Sequence, residues 1–338
     1  MSEIDRHIKE LQAVLNKYRS IGISEQIDYD KFYLYSIITH STAIEGSTVT
    51  EVENLLLFDE GISAKGKPIV EQLMNLDLKH AYEQSISWAK EHKPFSIDML
   101  KNLAALVMKN TGSAYSTLMG DFDSSRGDFR LVGVTAGAGG RSYMNYRKIP
   151  ARLEDFCNEV NRRREMLMQH PDEIETYLLS FDAHNILVSI HPWVDGNGRM
   201  SRLIMNHLQV EFGLIPTKVL TENKAAYIEA LNASREKESM LPFRDFMLCE
   251  HTKNLANEIS QYEKTMADGR DDDTKEMSDR QRIILKMIAA DDTITINEMI
   301  QKAGVSSITL KRDLAVLQAK GILKREGGRK FGRWAIME

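Results

Sequence analysis

The chain has 338 residues, a formal net charge of −5, 42% hydrophobic and 28% charged residues; this is room for two domains, and the composition excludes a disordered or fibrous protein. Its apolar runs, such as Ile186 to Ile190, are too short to cross a bilayer, and the polar start Met-Ser-Glu-Ile-Asp-Arg-His lacks a signal-peptide core. Two cysteines, Cys157 and Cys249, make neither a disulfide framework nor a metal-binding spacing, so a cytoplasmic protein with reduced thiols and no membrane partner is expected.

In chain order, apolar residues recur every three or four positions, which predicts a mainly α fold. Helices are expected at about 4–19, 29–41, 70–91, 96–110, 149–168, 173–189, 199–212, 223–235 and 242–264. Another begins at Thr50-Glu-Val-Glu53, a capping box ahead of Leu55, Leu56 and Leu57. Gly213, with Pro216 close behind, ends the 199–212 helix. One stretch departs from this period. Phe129 to Thr135 and Ser142 to Tyr146 alternate like strands around the glycine-rich tip 136–140, predicting a β-hairpin over 129–146. Residues 265–277 are charged and lack periodicity, so they are expected to link a body at 1–264 to a second domain at 278–338. That C-terminal part carries a net charge of +5, against −10 for the remainder, and the asymmetry implies different partners.

The segment His191-Pro-Trp-Val-Asp-Gly-Asn-Gly-Arg-Met-Ser-Arg202 carries chemistry. Gly196 and Gly198 allow a tight turn that points backbone N–H groups at one spot, and the helix after them adds its N-terminal donors and dipole. Arg199 and Arg202, three apart, share a face of that first turn and suit a polyphosphate. Asp195 offers an oxygen to a hard divalent cation such as Mg²⁺, and Asn197 can donate or accept within the same loop. His191 precedes the loop, where an imidazole can remove a proton from an attacking hydroxyl.

This string resembles the Fic (Fic/DOC) family motif, H-P-F-x-D/E-G-N-G-R-x-x-R, with Trp193 at the usual phenylalanine. The similarity extends over about 30–250, including the helix Asp182 to Ile190 that leads into the motif. The hairpin is similar to the family's flap, with Asn145-Tyr146 where a proline pair is frequent. The resemblance implies a Fic-type helical bundle with a β-hairpin flap. It also implies transfer of AMP from ATP, with Mg²⁺, onto Ser, Thr or Tyr hydroxyls of a protein held at the flap, self-modification included. In that reading His191 is the general base, Asp195 the Mg²⁺ ligand, and Gly196, Asn197 and Gly198 the anion loop. Arg199 and Arg202 neutralise the triphosphate, and Tyr227 lines the adenine pocket.

Ser41-Thr-Ala-Ile-Glu-Gly46 resembles the family's inhibitory motif, [S/T]-x-x-x-E-[G/N]. By that resemblance Glu45 pairs with Arg202 and keeps ATP in an unproductive pose, while Ser41 and Gly46 frame it. Family members often pair, so a homodimer is a further expectation. Two alternatives share these residues: removal of AMP or transfer of another phosphate-containing group, and a transcriptional regulator that senses ATP.

Residues 278–338 read as helix, helix, glycine turn, helix and hairpin, the order of a winged helix-turn-helix. For DNA, Ser306, Ser307, Thr309, Lys311 and Arg312 would face groove or phosphates, and Arg329 and Lys330 at the wing tip would touch backbone. The competing expectation is protein contact or dimerisation through the same domain.

Overall fold

The computed structural model describes residues 3–23, 31, 33–135, 142–270, 279–303, 307–319, 321–326 and 333–337. In chain order these form helices α1 (Glu3–Ser20), α2 (Leu34–Ile44), α3 (Glu51–Glu60), α4 (Ile69–Lys90) and α5 (Ile97–Val107), then strands β1 (Ala114–Thr117) and β2 (Gly120–Asp123). Helices α6 (Ile149–Gln169), α7 (Glu173–Ile190), α8 (Asn197–Glu211), α9 (Lys224–Glu236) and α10 (Leu241–Arg270) follow. Helices α11 (Asp279–Ala290), α12 (Ile296–Ala303) and α13 (Ser307–Ala319) precede strands β3 (Leu323–Glu326) and β4 (Arg333–Ile336). They fall into two compact units, Met1–Asn257 and Glu258–Glu338.

Helix α7 is central in the first unit, buried on nearly every side. Tyr177, Leu179, Phe181, Ala183 and Leu187 are all buried, and so are its polar residues Thr176, Ser180, Asp182, His184 and Asn185. Asp172 caps it, accepting from the Glu175 N–H at 2.9 Å. Burying one such aromatic or leucine side chain stabilises the fold by about 1.5–3 kcal/mol. Truncating Phe181 to alanine would therefore cost about 3–5 kcal/mol, transfer and cavity together.

Helix α8 packs against α7 and buries Leu203, Ile204, Met205 and Leu208. Several of its buried polar side chains are paired with groups from other elements. Asn206 donates to the Thr217 carbonyl at 3.0 Å, Gln209 donates to Ser180 Oγ at 2.9 Å, and Gln209 Oε1 accepts from the Thr217 N–H at 2.7 Å. Arg164 of α6 grips Glu211 at the end of α8 with two guanidinium nitrogens, the Nε contact being 2.7 Å. The capping box at Thr50 forms as expected, with reciprocal bonds of 2.8 and 3.3 Å to Glu53.

Several expectations shift. The second helix is described over Leu34–Ile44 and runs past its expected end at about 41; its expected start at 29 falls among residues 24–30 and 32, which lie outside the described residues. The 129–146 segment has no described ladder beyond a single bridge, Thr135 to Ser142, with the Tyr143 N–H on the Val134 carbonyl at 3.0 Å; its tip, 136–141, lies outside the described residues. Its two legs are joined also by a side chain, Arg130, described below. The β1–β2 pair, with Tyr115 opposite Phe122, was not expected, because so short and polar a run carries almost no period-two signal. The expected linker begins as helix, since α10 extends to Arg270; residues 271–278 are outside the description.

In the second unit, Ile284, Ile288, Met299, Leu310, Leu314, Leu317, Leu323 and Trp334 make a core. Trp334 closes it, its indole donating to the Ile294 carbonyl at 3.0 Å. β3 and β4 are antiparallel, with Arg325 opposite Trp334, and Arg280 pairs with the buried Asp313. The expected order of helices and hairpin holds.

Candidate active site

Three local features shape the motif loop. His191 ends α7 in the left-handed region, φ 53° and ψ 60°, a conformation costly for any residue with a Cβ. It is held there because Arg130 Nε donates to the His191 carbonyl at 2.7 Å and the Arg130 N–H donates to the Pro192 carbonyl at 3.0 Å. Trp193 is buried, its indole donating to the Gly127 carbonyl at 3.1 Å, so it anchors the loop in the core as its aromatic character predicts. Gly196 then turns with φ 80° to open α8. The positive φ favours glycine there, and an added Cβ would also come within 2.8 Å of Met108 Sδ, which would have to shift.

Asn197 turns its side chain inward. Its carboxamide is buried and spans the loop, accepting from the Trp193 N–H at 3.1 Å and donating to the Trp193 carbonyl at 2.9 Å. What the loop offers outward is backbone: the first N–H groups of α8 have no acceptor within the helix, and the dipole adds positive potential.

His191 is neutral and oriented. Nδ1 lies 3.2 Å from the Val188 carbonyl; a carbonyl only accepts, so the ring proton sits on Nδ1 and Nε2 keeps its lone pair. Burial, with Arg130 and Arg235 adding to it against the Val188 bond, pushes its pKa down to about 4. The ring stacks on Tyr143 at 3.7 Å between centroids, and the Arg235 guanidinium covers the same tyrosine at 4.4 Å. The imidazole is thereby fixed in plane and protected on one face.

Asp195 is 64% exposed. One oxygen takes the Gly196 N–H at 2.6 Å and the other stands 3.4 Å from Arg199. The outward lone pairs fit a single oxygen ligand to Mg²⁺, a cation that completes its shell with water and phosphate oxygens. Arg199 is buried against the Val107 carbonyl at 3.3 Å and Met108 Sδ at 3.2 Å. Its Nε has no partner among the described residues, and burial lowers its pKa.

Arg202 is the most heavily bonded cation of the site. Nε donates to Ser41 Oγ at 2.8 Å, Nη2 to the Ser41 carbonyl at 2.8 Å and to Glu45 Oε1 at 2.6 Å, and Nη1 to the Tyr227 hydroxyl at 3.3 Å. Burial pushes the Glu45 carboxyl up, but Arg202 by charge and hydrogen bond, with Arg199 and Lys224, outweighs it and holds Glu45 below its ordinary range. Tyr227 is 1% exposed and its hydroxyl also meets His184 Nε2 at 2.8 Å. It braces Arg202.

Glu45 reaches Arg202 because the end of α2 is nailed down. Thr42 donates to Asn75 Oδ1 at 2.7 Å; Asn75 in turn donates to Ser47 Oγ at 3.1 Å, and Asn54 donates to Asn75 Oδ1 at 2.9 Å and to Thr39 Oγ1 at 2.8 Å. Gly46, at φ 107°, releases the chain from the helix. These asparagines were not singled out from sequence; their only signal is polarity at apolar-phase positions.

Arg130 is the other residue sequence reading passed over. It is fully buried and also donates to the Val132 carbonyl at 2.7 Å and the Met144 carbonyl at 2.6 Å. One guanidinium thus ties both legs of the 129–146 segment to the carbonyl of His191. A lone cation within an alternating apolar run was the available clue. A 280 Å³ cavity lined by Leu34, Ile37, Tyr82 and His207 lies on α8 but apart from the motif.

The Fic/DOC family model matches residues 94–209, and the DeoR-like helix-turn-helix model matches 280–331. The chain carries a Fic/DOC domain. Protein adenylyltransferase fic-1 of Caenorhabditis briggsae is 26% identical over 240 residues, 69% of this chain and 43% of that protein. Protein adenylyltransferase Fic of Drosophila sechellia is 28% identical over 214 residues, 62% of this chain and 39% of that protein. The chain spans less than half the length of these relatives. In fold it is similar to Fic-1 from C. elegans, with a TM-score of 0.59 at 20% identity, covering 77% of this chain and 74% of that one. A Fic family protein from Desulfovibrio desulfuricans G20 gives 0.62 at 17% identity, covering 100% and 96%. The second unit is a helix-turn-helix domain. On it, Ser307, Thr309 and Lys311 belong to α13, and Arg312 is half-buried beside Asp313; Ser306, Arg329 and Lys330 lie outside the described residues. No described helix is long and apolar enough to cross a membrane.

Proposed function

We propose that this chain is a protein adenylyltransferase, moving AMP from ATP to a Ser, Thr or Tyr hydroxyl, and that Glu45 holds it in check. One observation carries the reading: a neutral His191, with its Nε2 lone pair available, stands at the loop whose backbone donors and arginines face the same N-terminus of α8. In the transfer, Nε2 takes the proton of the incoming hydroxyl as its oxygen forms a bond to the α-phosphorus. The bond from that phosphorus to the bridging oxygen breaks and pyrophosphate leaves. Mg²⁺, when bound, neutralises phosphate charge and favours the leaving group; Asp195 is the residue we assign to hold it. Gly196 and Gly198 keep the backbone donors open to the phosphates, with Asn197 fixing the loop. Arg199 and Arg202 stabilise charge, Arg202 only after Glu45 withdraws. The legs of 129–146 would hold the target segment by strand addition. Tyr227, which braces Arg202, is the residue we assign to the edge of the adenine pocket.

The Fic domain is assayed with labelled ATP, Mg²⁺ and whole-cell lysate, using the wild type, Glu45→Gly and His191→Ala. Label on a protein, absent with His191→Ala, supports the reading; release of label from modified protein would favour AMP removal instead. A cytoplasmic location and a homodimer fit the same reading.

The DeoR-like match favours a second role for the C-terminal unit: binding DNA through α13 and the 327–332 segment, with the Fic domain as effector or ATP sensor. Duplex binding that weakens steeply with salt supports it, since phosphate contacts release counterions. No binding at low salt would leave protein contact as the domain's role.

A further inference from the structure

Away from the nucleotide site, His7 of α1 and Asp245 and Cys249 of α10 bring three ligand atoms within 4.8 Å of one another. Asp245 and Cys249 are four apart and share one face of α10, while His7 crosses from the other helix. His7 is buried and its Nδ1 lies 2.6 Å from Asp245 Oδ1. Arg6 donates to His7 Nε2 at 3.0 Å, so in this state the ring proton occupies the space between Nδ1 and the carboxylate. Imidazole, carboxylate and thiol from two helices form a three-ligand set with a fourth, water-accessible side, since Asp245 keeps 36% of its side-chain exposure.

We propose that His7, Asp245 and Cys249 bind a borderline-soft divalent cation of the Zn²⁺ or Co²⁺ kind, with water as fourth ligand, and that the ion staples α1 to α10. Thiolate and imidazole select this class over Mg²⁺, which prefers oxygen alone. The charges balance: one carboxylate and one thiolate offset the 2+ ion. On binding, the Cys249 thiol proton leaves to solvent and the His7 ring proton moves from Nδ1 to Nε2. Arg6, half exposed and already 3.6 and 3.7 Å from Glu3 and Glu10, turns away from Nε2 to those carboxylates. Because the staple closes a loop spanning most of the first unit, it stabilises against unfolding rather than altering the chemistry at His191.

The test titrates the full-length reduced protein with Co²⁺, in the presence of excess Mg²⁺ to fill oxygen sites, and follows the thiolate-to-cobalt absorption band. One equivalent with that band, displaced by Zn²⁺ and lost in Cys249→Ser, supports the site. The melting temperature should rise by roughly 5 °C at about 100 times the dissociation constant, and not rise in Cys249→Ser. Cys249→Ser is the main control because it keeps size and fold; His7→Gln is the second. Absence of the band, or its persistence in Cys249→Ser through Cys157, overturns the proposal.

Discussion

Glu45 Oε1 lies 2.6 Å from Arg202 Nη2 and directly against Gly198, where an added methyl would overlap it. The carboxylate therefore occupies the space over the first turn of α8, where backbone donors and an arginine would otherwise meet an anion. In the proposed function, a side chain 157 positions away would thus compete with a phosphate by charge, by volume and by hydrogen bond at once.

Removing that competitor should activate the enzyme. Glu45→Gly is expected to raise incorporation of labelled AMP by about tenfold or more, a coupling of ordinary allosteric size. His191→Ala should reduce transfer by about 10² to 10⁴-fold in either background. Equal rates for Glu45→Gly and wild type under matched ATP and Mg²⁺ would falsify the inhibitory role.

Arg130 should matter to geometry more than to charge. Lysine at this position cannot serve the carbonyls of His191, Val132 and Met144 together. Arg130→Lys is expected to lower turnover by about 100-fold, the cost of ångström-scale misplacement. It should also destabilise the Fic domain by about 1–3 kcal/mol through unsatisfied carbonyls. Turnover and urea denaturation measured on the same preparation check both; unchanged turnover would remove Arg130 from the positioning role.

Acid should weaken the fold in a predictable direction. Burial holds His251 down to about 3, His207 to about 3 and His191 to about 4. Unfolded imidazoles protonate near 6.5, so below that pH the unfolded chain binds protons the folded chain refuses. Stability is complete above about 6.5 and falls, per group, by about 1.4 kcal/mol per pH unit on the way down to the folded pKa. His251 has neither ring nitrogen paired among the described residues and packs on Tyr177 at 4.9 Å. Replacing it with phenylalanine, His251→Phe, should flatten the pH dependence between about pH 6 and 4 by one group's share, read from thermal melts across that range. An unchanged slope would show that His251 is already protonated when folded.

The Arg164 to Glu211 pair should be costly to break from one side. Glu211 is buried and Arg164 nearly so, with His92 Nδ1 also 3.2 Å from Glu211 Oε1. Arg164→Met leaves a buried carboxylate and is expected to cost about 3–5 kcal/mol. The double variant Arg164→Met with Glu211→Leu should recover much of that loss. Chemical denaturation of the three proteins decides; no recovery in the double variant would mean the packing, not the pair, was lost.

The sequence by itself determined which parts are helical and where the glycine turn before α8 lies, because both are local. A 3.6-residue apolar period, a capping box at Thr50 and glycines at 196 and 198 act through neighbouring backbone. Resemblance, not pattern, pointed to Glu45 as the partner of Arg202, since nothing at residues 41–46 announces a contact so far along the chain. Only the tertiary structure decided the rest. It turned Asn197 inward to brace Trp193, buried Tyr227 beside Arg202, and tied the described legs of 129–146 together through Arg130 as well as through a single strand bridge. It placed Tyr143 on His191 and gathered Asn54 and Asn75 beneath the end of α2. Each of these is a hydrogen bond or ring contact between elements remote in sequence. Such contacts are fixed by which buried polar groups find partners once the helices pack, and no local period records that outcome.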